Sequence, residues 1–388
     1  MQYYNYLVII TCLYMIIQLV QLYEDQTLSR KERSVFSIIA VCILLGTICE
    51  FCGEFLNNTP SQYRILHGII KAIELSIAPC IPILYCLAVD FEKKVKIRKI
   101  VIISLLSINS LIEIISIFKP LIFQIKQENV YVHSRFYYIY VMYYVLGIIY
   151  FIYIFLKATK KYQNINLLSL ISIIIFFLIG FTLTKLFSEI KTDWLIISMI
   201  YSTFIHYYTK LILKIDALTL LLNRRSYENQ LRTINYKTAV IKIDVNNFKN
   251  VNDTYGHHCG DVCLRIVASV IYKAYGKIGW CYRTGGDEFD IILKPNKLDD
   301  IVINSSYDVY KGINIINSKF EMLLSEQYKE YPMLKSGVSI GYGIFYGYVD
   351  SFDREDDKNS CYNMNISDVV DIADKRMYQD KTKKKNLH

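Results

Sequence analysis

The stretch that decides the soluble fold is Trp280–Leu293, WCYRTGGDEFDIIL. Trp280–Arg283 and Phe289–Leu293 are β-rich runs. Between them, Thr284, Gly285, Gly286 and Asp287 form a turn signal, because glycine reaches backbone conformations that are costly for other residues. The pattern predicts a β-hairpin with a carboxylate leaving its turn. On these residues alone, a plain surface hairpin and a loop that lets a triphosphate approach the backbone have equal claim.

Working outward, Ala239–Val245 (AVIKIDV) predicts a central strand with Asp244 near its end. Val262–Tyr275 has helical spacing, Val338–Ile344 is a further strand, and Ile366–Tyr378 is a helix with Ser367 as its N-cap. Strand, helix, two strands, helix and strand describe an α+β palm, a ferredoxin-like antiparallel sheet with helices on one face. If the strands carrying Asp244 and Asp287 are neighbours, the two carboxylates converge on one edge of the sheet. Oxygen ligands beside phosphates suit Mg²⁺ (or Mn²⁺), which keeps waters and takes one or two protein carboxylates. Asn246–Lys249 opens a helix whose free N–H groups can hold phosphate oxygens.

The other half of the chain is different in kind. Of 388 residues, 53% are hydrophobic, and the long Ile/Leu/Phe/Tyr runs fall before residue 215. The shift predicts a transmembrane domain over 1–214 and a cytoplasmic domain over 215–388. Seven stretches have the roughly 20 apolar residues a bilayer core requires: 3–22, 34–56, 65–89, 100–118, 136–156, 167–187 and 193–214. Loops 24–33, 90–99 and 157–166 hold eleven basic residues, and the opposite set holds five. Basic loops stay in the cytoplasm, so the amino terminus is expected outside and the carboxyl half inside a bacterial cell membrane.

Residues 1–215 hold 20 basic and 12 acidic residues of the chain's 44 and 35, which leaves 24 and 23 for the remainder. The soluble half is thus nearly neutral, which argues against a nucleic-acid partner. The ten cysteines show no paired metal-ligand spacing and are expected as reduced thiols. Glu50, Glu54, Glu74 and Glu113 fall within apolar spans. Either they form a polar pocket for an unknown small signal or they tie helices together, with equal weight.

The hairpin does not stand alone. Arg283-Thr-Gly-Gly-Asp-Glu-Phe289 resembles the signature of GGDEF-domain diguanylate cyclases. Asp216–Arg225 (DALTLLLNRR) is similar to that family's opening motif. The run from Asp244 to His257 with Gly260-Asp261, then Ser339-Ile-Gly341, and finally Ala373-Asp374 with Met377-Tyr378 and Lys381 follow in order. The resemblance covers about 216–386.

It implies a nucleotidyl cyclase palm that joins two GTP molecules into cyclic di-GMP and releases pyrophosphate. It implies that Asp244, Asp287 and the Val245 carbonyl hold the metal. Asp287 also accepts the 3′-hydroxyl proton, with Glu288 beside a second metal. It further implies that Asn252 and Asp261 read guanine, whose N1–H and N2–H a carboxylate can accept. Lys249, Lys381 and Lys385 steady phosphates as point charges. Because each domain makes half a site, a homodimer is implied. A nucleotide receptor without turnover is disfavoured by the intact Asp244, Asp287, Asn252 and Asp261. A transporter or receptor with a scaffolding soluble half leaves the ordered motifs unexplained.

His257 is expected as a local scaffold and Arg283 as a brace of the hairpin. The Lys381–Lys385 run reads equally as a solvated tail. Three departures stand out. Leu220 replaces a usual Gly of the opening motif. Asn246 stands where Asp is frequent. The Arg and Asp of the product-inhibition motif would fall at Gly276 and Gly279, so no feedback is expected there. Nothing separates the seventh span from Asp216 except Ile215, which predicts nearly rigid coupling between the two halves.

Overall fold

The computed structural model describes residues 2–89, 96–161, 193–304, 309–347 and 364–386, with scattered positions between 171 and 191. The expected sixth span lies largely outside the described residues, as do Lys93 and Lys94 of the basic loops. The chain divides into two compact units, Met1–Leu213 and Lys214–His388.

The first unit is helical. Its helices are α1 (Gln2–Glu24), α2 (Arg30–Leu56), α3 (Arg64–Ile77), α4 (Cys80–Val89), α5 (Lys96–Ser116), α6 (Tyr137–Lys161) and α7 (Asp193–Ile212). Four helical stretches among the described residues are long and apolar enough to cross a membrane: Tyr3–Glu24, Arg30–Leu56, Ser61–Val89 and Tyr137–Lys157. The third is α3 and α4 in succession, with a turn at Ala78 and Pro79. Two more expected spans are helices. Among the described residues α5 has an apolar stretch over Ile103–Ser116, and α7, which mixes Ser, Thr, His and Lys among its apolar residues, falls short of this standard.

Local chemistry sets these boundaries. α2 starts at a capping box in which Ser29 and Glu32 satisfy each other's backbone N–H groups. Glu32 is buried there and also accepts a hydrogen bond from Tyr208 of α7 at 2.7 Å. A small hairpin, β1 (Phe123–Ile125) with β2 (Tyr131–His133), packs on Ala72 and Leu75 of α3. The sequence reading did not anticipate it, because three-residue strands are too short to show a period.

The second unit is built on a five-stranded sheet in the order β3-β5-β6-β4-β7. The strands are β3 (Leu222–Asn223), β4 (Thr238–Val245), β5 (Gly279–Arg283), β6 (Glu288–Leu293) and β7 (Val338–Phe345). β4, β6 and β5 pair antiparallel, as do β4 and β7, and only β3 runs parallel to its neighbour. The helices are α8 (Arg224–Leu231), α9 (Phe248–Tyr255), α10 (His257–Tyr275), α11 (Lys297–Asn304), α12 (Val309–Ser325) and α13 (Ile366–Lys385).

The helices do not lie on one face, as expected, but on both. β4 is buried at seven of its eight positions and does not alternate. That is the signature of a strand covered on both sides. One face packs Ile241, Ile243 and Val245 against Leu264, Val267 and Ile271 of α10, and the same core includes Phe320 of α12. The other packs Val240, Ile292 and Phe345 against Val369 of α13 and Tyr227 of α8.

The motif glycine Gly341 explains how α13 reaches the sheet. A Cβ there would sit 2.1 Å from the Ala373 carbonyl oxygen and 2.2 Å from the Met377 nitrogen. Only glycine allows the helix backbone so close. The N-cap of α13 is Asn365, which forms a capping box with Asp368, and not Ser367. The helix then continues through Lys385, so the lysine run is helical and not a tail.

Candidate active site

β4 lies between β6 and β7. Its register sets Asp244 opposite Glu288 of β6 and opposite Ser339 of β7. One residue further, the Val245 N–H donates to the Asp287 carbonyl at 3.1 Å. The end of β4 and the acidic turn of the hairpin therefore share one sheet edge. Asp244 is buried, Asp287 half-buried and Glu288 exposed.

Lys381 of α13 donates to Asp244 Oδ1 at 2.6 Å. Burial pushes the Asp244 carboxyl up. Lys381 pulls it down, Asp287 and Asp374 add like charge, and the net direction is upward. A buried carboxylate with like charges nearby is a place where a cation relieves repulsion. The donors are all oxygens, which fits Mg²⁺. Among the described residues no group of three or more His, Cys, Asp and Glu side chains converges. Two carboxylates with the remaining positions left to carbonyl, water and substrate is the set Mg²⁺ tolerates, and the residues present fit it.

α9 and α10 meet at Gly256, whose φ is 80°. A Cβ on Gly260 would lie 2.0 Å from Asn252 Oδ1. The Asn252 carboxamide thus lies over Gly260, beside Asp261, and the two expected guanine readers come from adjoining helices. Lys249 on α9 and Lys385 at the end of α13 are exposed, as is His257.

Arg283 braces the hairpin. It donates to the Gly286 carbonyl at 2.8 Å and to Asp216 Oδ1 at 3.1 Å. Asp216 also accepts from the Thr219 N–H and hydroxyl. Burial alone would raise its carboxyl, but the Thr219 hydrogen bonds and Arg283 hold it below the usual range. Leu220, in the same turn, has φ 62°. The departure from glycine at this position therefore places a branched side chain in a left-handed conformation.

The structure also gives Asn246 a purpose that sequence reasoning did not find. Its Nδ2 donates to the Ser336 carbonyl at 3.1 Å, and its Oδ1 accepts from the Ser339 hydroxyl at 2.6 Å. Ser336 Oγ donates to the Asn246 carbonyl at 2.8 Å. An aspartate could accept but not donate. The amide locks the turn before β7 against the end of β4, and only the spatial pairing of 246 with 336–339 reveals it.

A second unforeseen group lies on the same face as Asp244. Asp290 of β6 is fully buried, with Thr284 donating to its Oδ2. Lys242 Nζ lies 3.6 Å from Asp290 and 3.6 Å from Asp374 of α13. Burial raises the Asp290 carboxyl against the pull of Lys242.

In the helical unit, three of the four carboxylates expected within apolar spans have partners among the described residues. Lys71 donates to Glu74 at 2.8 Å, Lys191 pairs with Glu54, and the Tyr4 hydroxyl donates to Glu50 at 3.3 Å. Glu113 is fully buried, and neither carboxylate oxygen has a hydrogen-bond partner among the described residues.

The sheet order, the helices on both faces and the acidic edge define a palm-type domain. Residues 213–343 match the family model described as diguanylate cyclase, GGDEF domain. The chain carries a GGDEF domain preceded by an apolar helical region. It is 36% identical over 88 residues to diguanylate cyclase DgcS of Shewanella oneidensis, covering 21% of this chain and 30% of that protein. It is 33% identical over 137 residues to the uncharacterized membrane protein SSP1970 of Staphylococcus saprophyticus, covering 34% of this chain and 36% of that protein. The crystal structure of the GGDEF domain of DgcB from Caulobacter crescentus, in complex with c-di-GMP, is 22% identical at a TM-score of 0.31. That match covers 44% of this chain and 90% of the other. The chain thus spans 30% and 36% of the length of these two curated relatives.

Proposed function

We propose that this chain is a membrane-bound diguanylate cyclase that condenses two GTP into cyclic di-GMP and releases pyrophosphate. The observation that carries the reading is the shared sheet edge. The Val245 N–H holds the Asp287 carbonyl at 3.1 Å while Asp244, one residue before, lies buried under Lys381.

In this reading Asp244, Asp287 and the Val245 carbonyl hold Mg²⁺ (or Mn²⁺). When bound, the metal offsets charge on the α-phosphate and lowers the pKa of the attacking 3′-hydroxyl. Asp287 accepts the hydroxyl proton, and Glu288 stands beside it. Lys249, Lys381 and Lys385 hold the triphosphate. Lys381 exchanges part of its pairing with Asp244 for the phosphates when substrate arrives. Asn252 and Asp261 hold the guanine edge, and adenine leaves Asp261 without its donors. Each domain binds one GTP, so turnover requires two domains facing each other with twofold symmetry.

The four long apolar helices, with lipid-compatible outer faces such as Ile9, Leu13, Ile16 and Val20 of α1, support membrane anchoring. The basic-loop bias supports an outside amino terminus and a cytoplasmic cyclase. The helical unit would then receive a small signal and pass it through α7 to Asp216. A flexible Gly/Ser insertion after Lys214 is expected to abolish signal dependence while basal synthesis remains. Retained signal dependence would count against rigid coupling.

The test of the activity is direct. The full chain, incubated with Mg²⁺ and GTP, yields cyclic di-GMP on chromatographic separation, and Asp287→Ala yields none. A wild-type reaction without that product refutes the reading.

A further inference from the structure

Asp290 sits three residues after Asp287 on β6, yet it has no place in the reaction described above. It is fully buried on the sheet face that also carries Asp244. A carboxylate removed from water without full pairing is costly, so its neighbours state what it is for. The register sets it opposite Lys242 on β4 and opposite Tyr282 on β5. Lys242 Nζ is 3.6 Å away, outside hydrogen-bond range, and Asp290 Oδ1 has no hydrogen-bond partner among the described residues. The close contact is instead to Thr284, whose hydroxyl donates to Asp290 Oδ2.

Thr284 is the first residue of the turn that delivers Asp287. Its own N–H donates to the Glu288 carbonyl at 3.1 Å, and the Gly285 N–H reaches the same oxygen at 3.4 Å. The turn has two glycines, and nothing lies within 4 Å of where a Gly286 side chain would begin. Its position therefore depends on contacts made from around it. The Val245 N–H holds the Asp287 carbonyl, and Arg283 braces the turn from the outside, through Asp216 and the Gly286 carbonyl. The Thr284–Asp290 contact fixes the same turn from inside the sheet. Lys242 is the counter-charge and lies equally near Asp374 of α13, the helix that also delivers Lys381 to Asp244.

We infer that Asp290 and Thr284 form a positioning pair that anchors the acidic turn from beneath, with Lys242 as counter-charge. They touch neither substrate nor metal. They act by holding Asp287 and Glu288 against the end of β4. This rests on the cyclase reading for its kinetic consequence, but its structural half can be measured without turnover.

The test uses the full chain in detergent with Mg²⁺ and GTP. Breaking a hydrogen bond to a buried carboxylate misplaces a catalytic turn, so Thr284→Val and Asp290→Ala are expected to lower kcat about tenfold or more. The KM for GTP should change less than about twofold, because the groups that read guanine and hold phosphate are elsewhere. Thr284→Ser restores kcat relative to Thr284→Val. Hydrogen–deuterium exchange of the segment 284–288, measured without nucleotide, is expected to be faster in both damaging variants. The double variant Lys242→Met, Asp290→Leu separates positioning from bulk stability. It replaces the charges with apolar volume and is expected to recover the melting temperature but not kcat.

Unchanged exchange and unchanged kcat in Thr284→Val overturn the proposal. Recovery of kcat together with melting temperature in the double variant does so as well, since the pair would then be only structural. If wild type makes no cyclic di-GMP, the cyclase reading falls, and the exchange result still decides whether the pair anchors the turn.

Discussion

The two faces of β4 differ sharply although they share one strand. On one face Ile241, Ile243 and Val245 enter an apolar core with α10, the expected use of a buried strand. On the other, Val240 is followed by Lys242 and Asp244, and the facing residues of β6 are Asp290 and Glu288. Charge increases toward the end of the strand where the site lies. The first face holds the sheet together. The second gives up apolar burial for charged groups that fold stability alone does not demand. The contrast teaches that the acidic edge is built around buried charge, which the opposite core must offset.

The sharpest way to break that contrast is to act on the charged face. Asp287→Ala and Asp244→Asn are expected to lower cyclic di-GMP synthesis by about 100-fold or more, as loss of a group stabilising transition-state charge does. Asp244→Asn should at the same time raise the melting temperature, because burial and like charges already oppose its ionised form. Calorimetry beside the activity assay checks this, and a less stable, inactive Asp244→Asn protein would remove the trade-off.

Next in size is the apolar face. Ile243→Ala leaves a cavity in a fully buried position and should cost about 2–5 kcal/mol. Urea denaturation of the variant measures it, and the folded fraction should keep a near-normal KM for GTP.

A smaller effect concerns the opening turn. The folded-state carboxyl of Asp216 is depressed, so its contribution to stability is present above the unfolded pKa. It is lost as pH falls through the lowered folded value. Melting temperatures between about pH 5 and pH 2 should therefore fall less steeply in Asp216→Asn than in wild type. The smallest effect is at Leu220. Its left-handed backbone costs about 1–2 kcal/mol for a residue with a Cβ. Leu220→Gly recovers part of that, offset by the greater freedom of glycine in the unfolded chain. The expected result is a stability change near zero or slightly favourable, read by thermal unfolding.

Much of the charged face was legible in the sequence. Asp244 closes a β-rich run and Asp287 leaves a Gly-Gly turn, so both could be placed at strand ends from local pattern alone. Asn252 and Asp261 were legible only through the order of the family's motifs. Two kinds of feature were not legible. The coverage of both sheet faces depends on α8 and α13 packing opposite α10 and α12, and strand patterns cannot say which helix covers which face. The tie of Asn246 to Ser336 and Ser339, and the approach of Lys242 to Asp290, depend on register between strands far apart in the chain. In the helical unit, the long runs of α1, α2 and α6 were legible because a 20-residue apolar helix needs no partner to be seen. The break between α3 and α4, and the β1–β2 hairpin, depend on packing and were not.

The claim on which all else depends is that the end of β4 and the acidic turn jointly hold a divalent cation facing a triphosphate. Electron paramagnetic resonance of Mn²⁺, titrated into the full chain with a non-hydrolysable GTP analogue, measures it directly. The account predicts saturable Mn²⁺ binding in wild type that is lost in both Asp244→Asn and Asp287→Asn. Undiminished binding in either variant would contradict it.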